Sequence, residues 1–245
     1  MVRAKKNTKN IKNKKKKGKF GIIIKRIFLI VAVVLLLWPI YFIVLYKYVP
    51  VYYTPLMLQR SIENIGVENS PKFTKKWVSF SEISPNLTRA VISSEDNLFQ
   101  KHNGFCFDMI KKAWADIQSG KRFRGGSTIS QQTAKNVFLF PIKSFVRKAY
   151  EAYLTILIEN IWGKERIMEV YLNVIEMGPG VYGAEAAAQT YFNCHAKNLN
   201  QSQCALIAAC LPNPIIYKVS KPSNYIKKRQ SKIISLMPKM GKIEL

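Results

Sequence analysis

Residues 94–104 read SEDNLFQKHNG, and residues 125–136 read GGSTISQQTAKN. The first stretch places paired carboxylates beside an aromatic ring and a histidine. The second is a glycine-rich turn that leads into hydroxyls, amides and a lysine. Because free backbone amides at the start of a helix attract anions, the two stretches together predict an acid/base site that faces an anion-binding site.

Two further blocks follow along the chain, RKAYE at 147–151 and KERIMEVYLN at 164–173, and the second runs on to Gly178 and Gly183. A single short motif recurs by chance, whereas four blocks in this order over residues 77–230 are specific. They resemble those of the peptidoglycan glycosyltransferases, and most closely those of the monofunctional biosynthetic transglycosylases. The resemblance implies a mainly α, lysozyme-like glycosyltransferase domain that polymerises lipid II into β-1,4-linked glycan strands, with inversion at the donor carbon and release of polyprenyl diphosphate.

The amino-terminal segment is strongly basic and is followed by an apolar run. The chain carries a net charge of +25, and residues 1–26 hold twelve Lys and Arg and no acid. Residues 27–46 (IFLIVAVVLLLWPIYFIVLY) are uncharged and long enough to cross a hydrocarbon core of about 30 Å. Lys47-Tyr48-Val49-Pro50 follows the run in place of a small-residue cleavage site, which favours an uncleaved anchor over a signal peptide.

The position of the basic cluster predicts the orientation of the chain. Because Lys and Arg precede the apolar run, the positive-inside rule places the amino terminus in the cytoplasm. We therefore expect a single-pass protein of the cytoplasmic (inner) membrane whose catalytic domain is extracytoplasmic, which in a bacterium with two membranes is the periplasm.

We expect four regions along the chain. Residues 1–26 form a basic cytoplasmic leader that is too poor in apolar residues to fold, and residues 27–46 form the transmembrane helix. Residues 47–76 are a membrane-proximal connector, apolar enough in part to pack or to rest on the membrane. Residues 77–245 form the glycosyltransferase domain.

Within the last region, helical periodicity predicts helices and no persuasive run of alternating strands. The first helix opens at Ser84-Pro85, with Ser84 as its N-cap, and ends near Glu95. The other predicted helices cover residues 105–118, 144–161, 164–174, 183–192, 201–211 and 223–237.

The resemblance assigns the chemistry to two acids. Glu95 is the candidate base that takes the proton from the 4-hydroxyl of the lipid II sugar, which attacks C1 of the lipid-linked growing strand. Without the neighbouring motif residues, the simpler interpretation of Glu95 and Asp96 would be a solvated acidic pair at the end of a helix. Glu151 is the second candidate catalytic residue, kept ionised by Arg147 and Lys148, although a plain salt bridge on a helix is the alternative. Glu151 could either hold a divalent cation (Mg²⁺ or Mn²⁺) or stabilise charge at the donor carbon, and the sequence does not decide between these roles. No cofactor is required by the sequence.

Further residues are predicted to bind substrate or to organise the site. Lys135 is assigned to the diphosphate, Arg147 to the leaving group, and Asp96 to hydrogen bonding within the site. For His102 we favour a packed, hydrogen-bonded histidine over a proton-transfer role, and an ordinary N-cap would explain Ser127 or Thr128 but not the whole dodecapeptide. The full set is Asp96, Phe99, His102, Ser127, Thr128, Gln131, Gln132, Lys135, Asn136, Arg147 and Lys148.

The cysteines leave two interpretations open. Cys106, Cys194, Cys204 and Cys210 lack the spacing of a zinc site. A disulfide and free buried thiols are both consistent with an exported domain. The chain also departs from the family pattern at Cys106, where relatives often carry an acid, and at Gln203, where a glutamate is common.

Two other functions compete with glycan polymerisation. A lysozyme-like lytic enzyme would also use a catalytic glutamate, but cleavage of glycan requires no diphosphate pocket. A basic, membrane-tethered nucleic-acid binder would make no use of Glu95 or Glu151. The expected partners are therefore lipid II, the lipid-linked glycan strand and the cytoplasmic membrane, with no nucleic acid and with other cell-wall synthases left open. The serine and lysine motifs of a transpeptidase do not follow, so no cross-linking activity is expected.

Overall fold

The computed structural model describes residues 2–68, 70–106, 111, 118–119, 126–241 and 243–245. The helix predicted for residues 105–118 lies mostly outside these residues, and so does Gly125. The chain divides into two compact units, the first ending at Phe42 and the second covering Ile43–Leu245.

Helix α1 runs from Val2 to Tyr48 and supplies the described part of the first unit. Within the described residues, Ile22–Tyr48 is the one helix long and apolar enough to cross a membrane; it has 27 residues, and an 18-residue stretch within it has a mean hydropathy of 3.0. The backbone of the basic leader, which the sequence analysis expects to have too little apolar content to fold, is helical from Val2 onward. Lysine is a good helix former, and residues that extend an existing helix avoid the cost of nucleation.

The second unit is mainly helical, which confirms the predicted fold class. Its helices start and end within one or two residues of most of the predicted bounds. They are α2 (Pro55–Glu63), α3 (Pro85–Glu95), α4 (Ile129–Phe138), α5 (Phe145–Ile161), α6 (Lys164–Val174), α7 (Ala184–Phe192), α8 (Gln201–Cys210) and α9 (Asn224–Leu236). Short 3-10 turns cover Phe80–Glu82, Ala196–Asn198 and Met237–Met240.

Polar side chains determine where several of these helices begin. Ser144 and Ser223 accept hydrogen bonds from backbone amides in the first turns of α5 and α9, and Asn200 does the same for α8. Ser84 precedes α3 as predicted but makes no side-chain cap. Its hydroxyl instead donates to the carbonyl oxygen of Leu199 at 2.8 Å, so it joins α3 to the segment before α8.

The helices pack in two groups. Helix α8 lies against both α3 and α9, while α4 packs against α5 and α6. Helix α8 is apolar on nearly all sides and rich in alanine, which lets its neighbours approach closely. Leu87 and Val91 of α3 and Leu154 and Ile158 of α5 are fully buried, and each such side chain contributes about 1.5–3 kcal/mol through burial.

A small sheet was not predicted from the sequence. Strand β1 (Thr74–Lys75) is parallel to β3 (Val181–Tyr182), and β3 is antiparallel to β2 (Glu176–Gly178), with an irregular register between Glu176 and Gly178. Strands of two or three residues are too short to produce an alternating pattern that can be recognised.

The end of α1 and the segment after it are bonded to the rest of the second unit through backbone carbonyls. Three side chains are the donors: Trp162 to Ile43 (2.6 Å), Arg166 to Tyr46 and Val49 (2.7 and 2.6 Å), and Lys75 to Tyr52 (2.5 Å). Burial lowers the pKa of the Lys75 ammonium to about 8. The chain is therefore held in place from Ile43 to Tyr52.

Gly183 occupies a position that only glycine fits. Its backbone has φ +83° and ψ 165°, and an added Cβ would lie 2.6 Å from the carbonyl oxygen of Asn173. We predict that Gly183→Ala lowers the free energy of unfolding by about 3 kcal/mol, because a glycine-only conformation is strained and a backbone atom cannot move aside. Thermal unfolding of the detergent-solubilised protein measures this loss.

Gly66→Ala is the matched control for Gly183→Ala. Gly66 also has a positive φ, +76°, but no atom lies within 4 Å of its added Cβ. Only the backbone penalty of about 1–2 kcal/mol is then expected. Equal losses in the two variants would show that the contact with Asn173 is unimportant.

Candidate active site

Glu95 is the last residue of α3 and remains partly open to solvent, with a side chain that is 13% exposed. Its Oε1 accepts hydrogen bonds from Ser94 Oγ at 3.1 Å and from Arg229 Nη2 at 3.5 Å. Its Oε2 accepts one from Gln132 Nε2 at 3.3 Å. Donors on both oxygens hold the carboxylate in one orientation while leaving part of it accessible.

Tyr171 orients the amide that contacts Glu95. Its hydroxyl donates to Gln132 Oε1 at 3.2 Å, which turns the amide nitrogen of Gln132 toward Glu95. Burial, followed by the negative charges of Glu95 and Asp96, raises the pKa of the Tyr171 hydroxyl well above its ordinary value. The phenol therefore stays protonated and remains a donor.

Asp96 joins the loop after α3 to the start of α4. Its carboxylate is buried and accepts hydrogen bonds from His102 Nε2 at 2.9 Å and from the backbone amide of Ile129 at 3.0 Å. Ile129 is the first residue of α4, where the helix dipole stabilises a negative charge. One acid thus fixes the loop of residues 96–104 against the amino-terminal end of the helix.

The same loop is held at two further points. The Thr128 hydroxyl donates to the carbonyl oxygen of Gly104 at 2.6 Å, and Thr128 also caps α4 in a reciprocal pair with Gln131. Lys164 donates to the carbonyl oxygen of His102 at 2.5 Å, and its ammonium lies 4.5 Å from the centre of the buried Phe99 ring. The loop that carries the acidic pair is therefore rigidly supported.

Three cations surround Glu151. The buried carboxylate of Glu151 accepts a hydrogen bond from Arg147 Nη1 at 2.5 Å and another from Lys148 Nζ. Lys135 of α4 is close enough for its charge to interact with those of Glu151, Arg147 and Lys148. We call these four residues the cationic cluster, because three positive charges face one negative charge.

Two donors of the cationic cluster lack an acceptor within the described part of the protein. Burial lowers the pKa of the Lys135 ammonium; Glu151 opposes this shift, whereas Arg147 and Lys148 add to it. Among the described residues, neither the Lys135 ammonium nor Arg147 Nε, which is buried, has a hydrogen-bond acceptor. An anion would fit here because it would neutralise the excess positive charge and accept a hydrogen bond from the Lys135 ammonium.

Polar contacts connect Glu95 to the cationic cluster. Gln132 Nε2, which donates to Glu95, also lies 3.5 Å from the carbonyl oxygen of Ser127. Lys148 Nζ donates to the hydroxyl of the same Ser127 at 3.2 Å. The acid and the cations therefore belong to one continuous site, as the spacing of the sequence blocks predicts.

Not every residue of the predicted set reaches the surface of this site. The side chains of Asp96, Phe99 and Thr128 are buried, and those of Gln131 and His102 are nearly so. They leave almost no surface for direct contact with a substrate. Their internal hydrogen bonds and packing instead shape the backbone that carries Glu95, Ser127 and the start of α4. Asn136 lies half-buried on α4, next to Lys135.

Arg229 is a site residue that the sequence analysis missed. It lies on α9 and donates through Nη2 to Ser94 Oγ at 2.9 Å as well as to Glu95. The signal was present in the sequence, because Ile226, Arg229 and Ile233 follow helical spacing and Ile226 and Ile233 are buried. A charge on the apolar stripe of a helix needs a partner, and here the partner is Glu95.

The surroundings of Glu151 do not suit a divalent cation. Both of its oxygens accept hydrogen bonds from cationic side chains. No group of three or more His, Cys, Asp or Glu that could hold a metal occurs in the described part of the chain. Mg²⁺ and Mn²⁺ prefer several oxygen ligands, whereas both oxygens of Glu151 already contact cations.

All four cysteines are free thiols. Cys106, Cys204 and Cys210 are buried and Cys194 is half-buried. Burial raises the pKa of Cys204 to about 12 and that of Cys210 to about 11, so both thiols stay protonated at neutral pH.

In this helical domain a partly exposed carboxylate is connected to the cationic cluster. A glycosyltransferase needs both features: a base for the acceptor hydroxyl and positive charge for an anionic leaving group. The Transglycosylase family model matches residues 61–238. The chain belongs to the transglycosylase family.

Curated relatives point to the same family. A protein of Bacteroides thetaiotaomicron is 55% identical over 82% of this chain and 83% of its own length. A protein of Bdellovibrio bacteriovorus is 55% identical over 79% of this chain and 78% of its own length. A protein of Caulobacter vibrioides is 48% identical over 86% of this chain and 90% of its own length. All three are named biosynthetic peptidoglycan transglycosylase.

Arg229 allows a direct test of how Glu95 is positioned. We predict that Arg229→Met slows glycosyl transfer roughly 10- to 100-fold, because a small displacement of a reacting group has a large effect on rate. Initial rates at saturating substrate and thermal unfolding are measured together. Lys228→Met is the matched control, since Lys228 is the adjacent residue and is exposed. An Arg229→Met rate equal to that of the control would exclude the positioning role.

Proposed function

We propose that the chain is a membrane-anchored glycosyltransferase that polymerises lipid II into β-1,4-linked glycan strands. The observation that carries the proposal is the polar connection from Glu95 through Gln132 and Ser127 to Lys148 of the cationic cluster. The printed name of the relatives, biosynthetic peptidoglycan transglycosylase, supports the same polymer.

Glu95 acts as the general base. Its carboxylate takes the proton from the 4-hydroxyl of the lipid II sugar as that oxygen forms a bond to C1 of the lipid-linked strand. The bond between C1 and the diphosphate oxygen breaks, its electron pair leaves with the diphosphate, and the configuration at C1 inverts. Gln132 and Arg229 keep the carboxylate aimed at the acceptor.

The cationic cluster stabilises the leaving group. Negative charge grows on the diphosphate as the bond to C1 breaks, and Lys135 and Arg147 each have a donor without an internal acceptor among the described residues. Lys148 adds charge beside Ser127. Glu151 holds Arg147 and Lys148 together against their mutual repulsion. Preorganised charge of this kind acts at the transition state because it needs no rearrangement during the reaction.

A lysozyme-like lytic enzyme is the alternative. It would use Glu95 to protonate a glycosidic oxygen and would have no need for the excess positive charge around Glu151. The net charge of the cationic cluster therefore favours transfer from a diphosphate donor over cleavage of finished glycan.

A lipid-linked substrate fits the surface beside the cationic cluster. Phe140, Ile142, Phe145 and Val146 are all exposed, and they immediately precede Arg147. Exposed apolar side chains next to an anion site suit a molecule with a polyprenyl tail and a diphosphate head. Residues 27–46 would anchor the chain in the cytoplasmic membrane, with the basic leader of residues 1–26 inside and residues 77–245 outside.

The proposed base is tested by Glu95→Gln, which removes the proton acceptor and keeps the shape of the side chain. We expect polymer synthesis from lipid II to fall roughly 100- to 10,000-fold, the usual contribution of a general base, with an unchanged unfolding temperature. Glu165→Gln is the matched control because Glu165 is exposed on α6.

The same assay separates the two candidate reactions. The unsubstituted protein is given lipid II in one sample and finished glycan strands in another. Consumption of lipid II with appearance of polymer supports the proposal, and cleavage of strands without use of lipid II supports the lytic enzyme. If a folded Glu95→Gln protein makes polymer at the normal rate, Glu95 is not the general base.

The cationic cluster is tested by Lys135→Met. Because burial lowers the pKa of Lys135, its charged form is disfavoured in the folded protein, so we expect the variant to be as stable as the parent or more stable. Polymerisation should nevertheless fall roughly 100- to 1,000-fold, as when one transition-state donor is lost. Lys232→Met, at an exposed position on α9, is the control. A rate loss matched by an equal loss of stability would indicate a structural role for Lys135.

A further inference from the structure

The segment between α1 and β1 carries a set of exposed apolar side chains. Tyr52 and Tyr53 precede α2, Leu58 and Ile62 lie one turn apart on α2, and Ile65 follows in the next turn. Their exposed fractions are 62%, 66%, 50%, 68% and 76% in that order. We call these five residues the connector face.

The connector face is built on an ordered support. Met57, on the same helix, is buried, and Thr54 is buried and caps the first turn of α2 through the amide of Met57. Lys75 donates to the carbonyl oxygen of Tyr52. Helix α2 is thus apolar on its inner side, where it packs, and also at Leu58 and Ile62 on the exposed side. Several exposed apolar side chains within one short segment are typical of a contact with a partner or a membrane.

We propose that the connector face rests in the headgroup region of the bilayer in which the chain is anchored. The inference rests on the proposed function only because that function places the chain in a membrane. Tyrosines are enriched at membrane interfaces, and short amphipathic helices bind there through their apolar side. The partner is therefore the lipid surface, and the connector is a second membrane contact in addition to the apolar helix.

Distance along the chain supports this partner. Residues 49–54 separate the end of α1 at Tyr48 from the start of α2 at Pro55. Even a fully extended chain of this length spans only about 25 Å. The last residues of α1 are also held within the second unit by Trp162 and Arg166. The connector face therefore stays within reach of the point where the chain leaves the bilayer.

Charge does not oppose the contact at α2. Glu63 is the acid of this helix, and its carboxylate accepts hydrogen bonds from Gln59 at 2.7 Å and from Arg60 at 2.9 Å. These donors lower the pKa of Glu63, so it remains an ion paired with Arg60. Lys72, further along the segment, is exposed and can meet lipid phosphates.

The test uses the full chain reconstituted in phospholipid vesicles that contain brominated lipids. Cys194, the half-exposed thiol, is first replaced in a Cys194→Ser background because the other three thiols are buried. A bimane dye is attached at Ile62→Cys or, as the matched control, at Ile216→Cys, because both isoleucines are 68% exposed. We expect bromine quenching at position 62 to be roughly threefold or more stronger than at position 216.

Quenching at position 62 that is no stronger than at position 216 would overturn the proposal. In a parallel unlabelled Ile62→Cys sample treated with a thiol oxidant, a disulfide-linked dimer, together with no quenching in the labelled sample, would show that a second copy covers the face instead. Polymer synthesis from lipid II is measured in the same vesicles. Strong quenching without synthesis would leave the membrane contact standing while contradicting the proposed function, so the two failures can be told apart.

Discussion

The buried carboxylate of Asp96 is the contact on which the rest of the site depends. It accepts from the His102 ring and from the first amide of α4, so it fixes the loop after α3 and the start of the neighbouring helix with one charge. Glu95 precedes Asp96 directly, and its direction therefore follows from that anchoring. A buried charge with these partners is strongly destabilising to break, which makes the geometry of the base a property of the fold.

The cationic cluster differs from Asp96 because its like charges repel one another, which lowers the stability of the folded protein. Lys135 is half-buried near two other cations, and partial burial lowers the pKa of its ammonium, which disfavours the charged form. Glu151 offsets only one of three positive charges. Under the proposed function, binding of the anionic diphosphate would relieve both the repulsion among these cations and the lack of acceptors for their donors.

Local features made part of this structure predictable from sequence. Helices α3 and α6 begin and end where periodicity and Pro85 place them, because those signals act within one or two turns. The strands could not be found, since β1 and β3 pair residues about a hundred positions apart and are two residues long. The position of Arg229 on the apolar side of α9 can be seen in the sequence, but its partner Glu95 is 134 positions away and no local pattern specifies that contact.

The distribution of apolar surface has a consequence for how a lipid-linked substrate is used. Under the proposed function, enzyme and substrate share one bilayer, and encounters occur in two dimensions at a high effective concentration. Interactions that form only in the transition state then accelerate the reaction more than interactions that only bind the sugar. This explains why the donors of Lys135 and Arg147 gather where the leaving group forms, while exposed apolar residues such as Phe145 stand beside them to receive the tail.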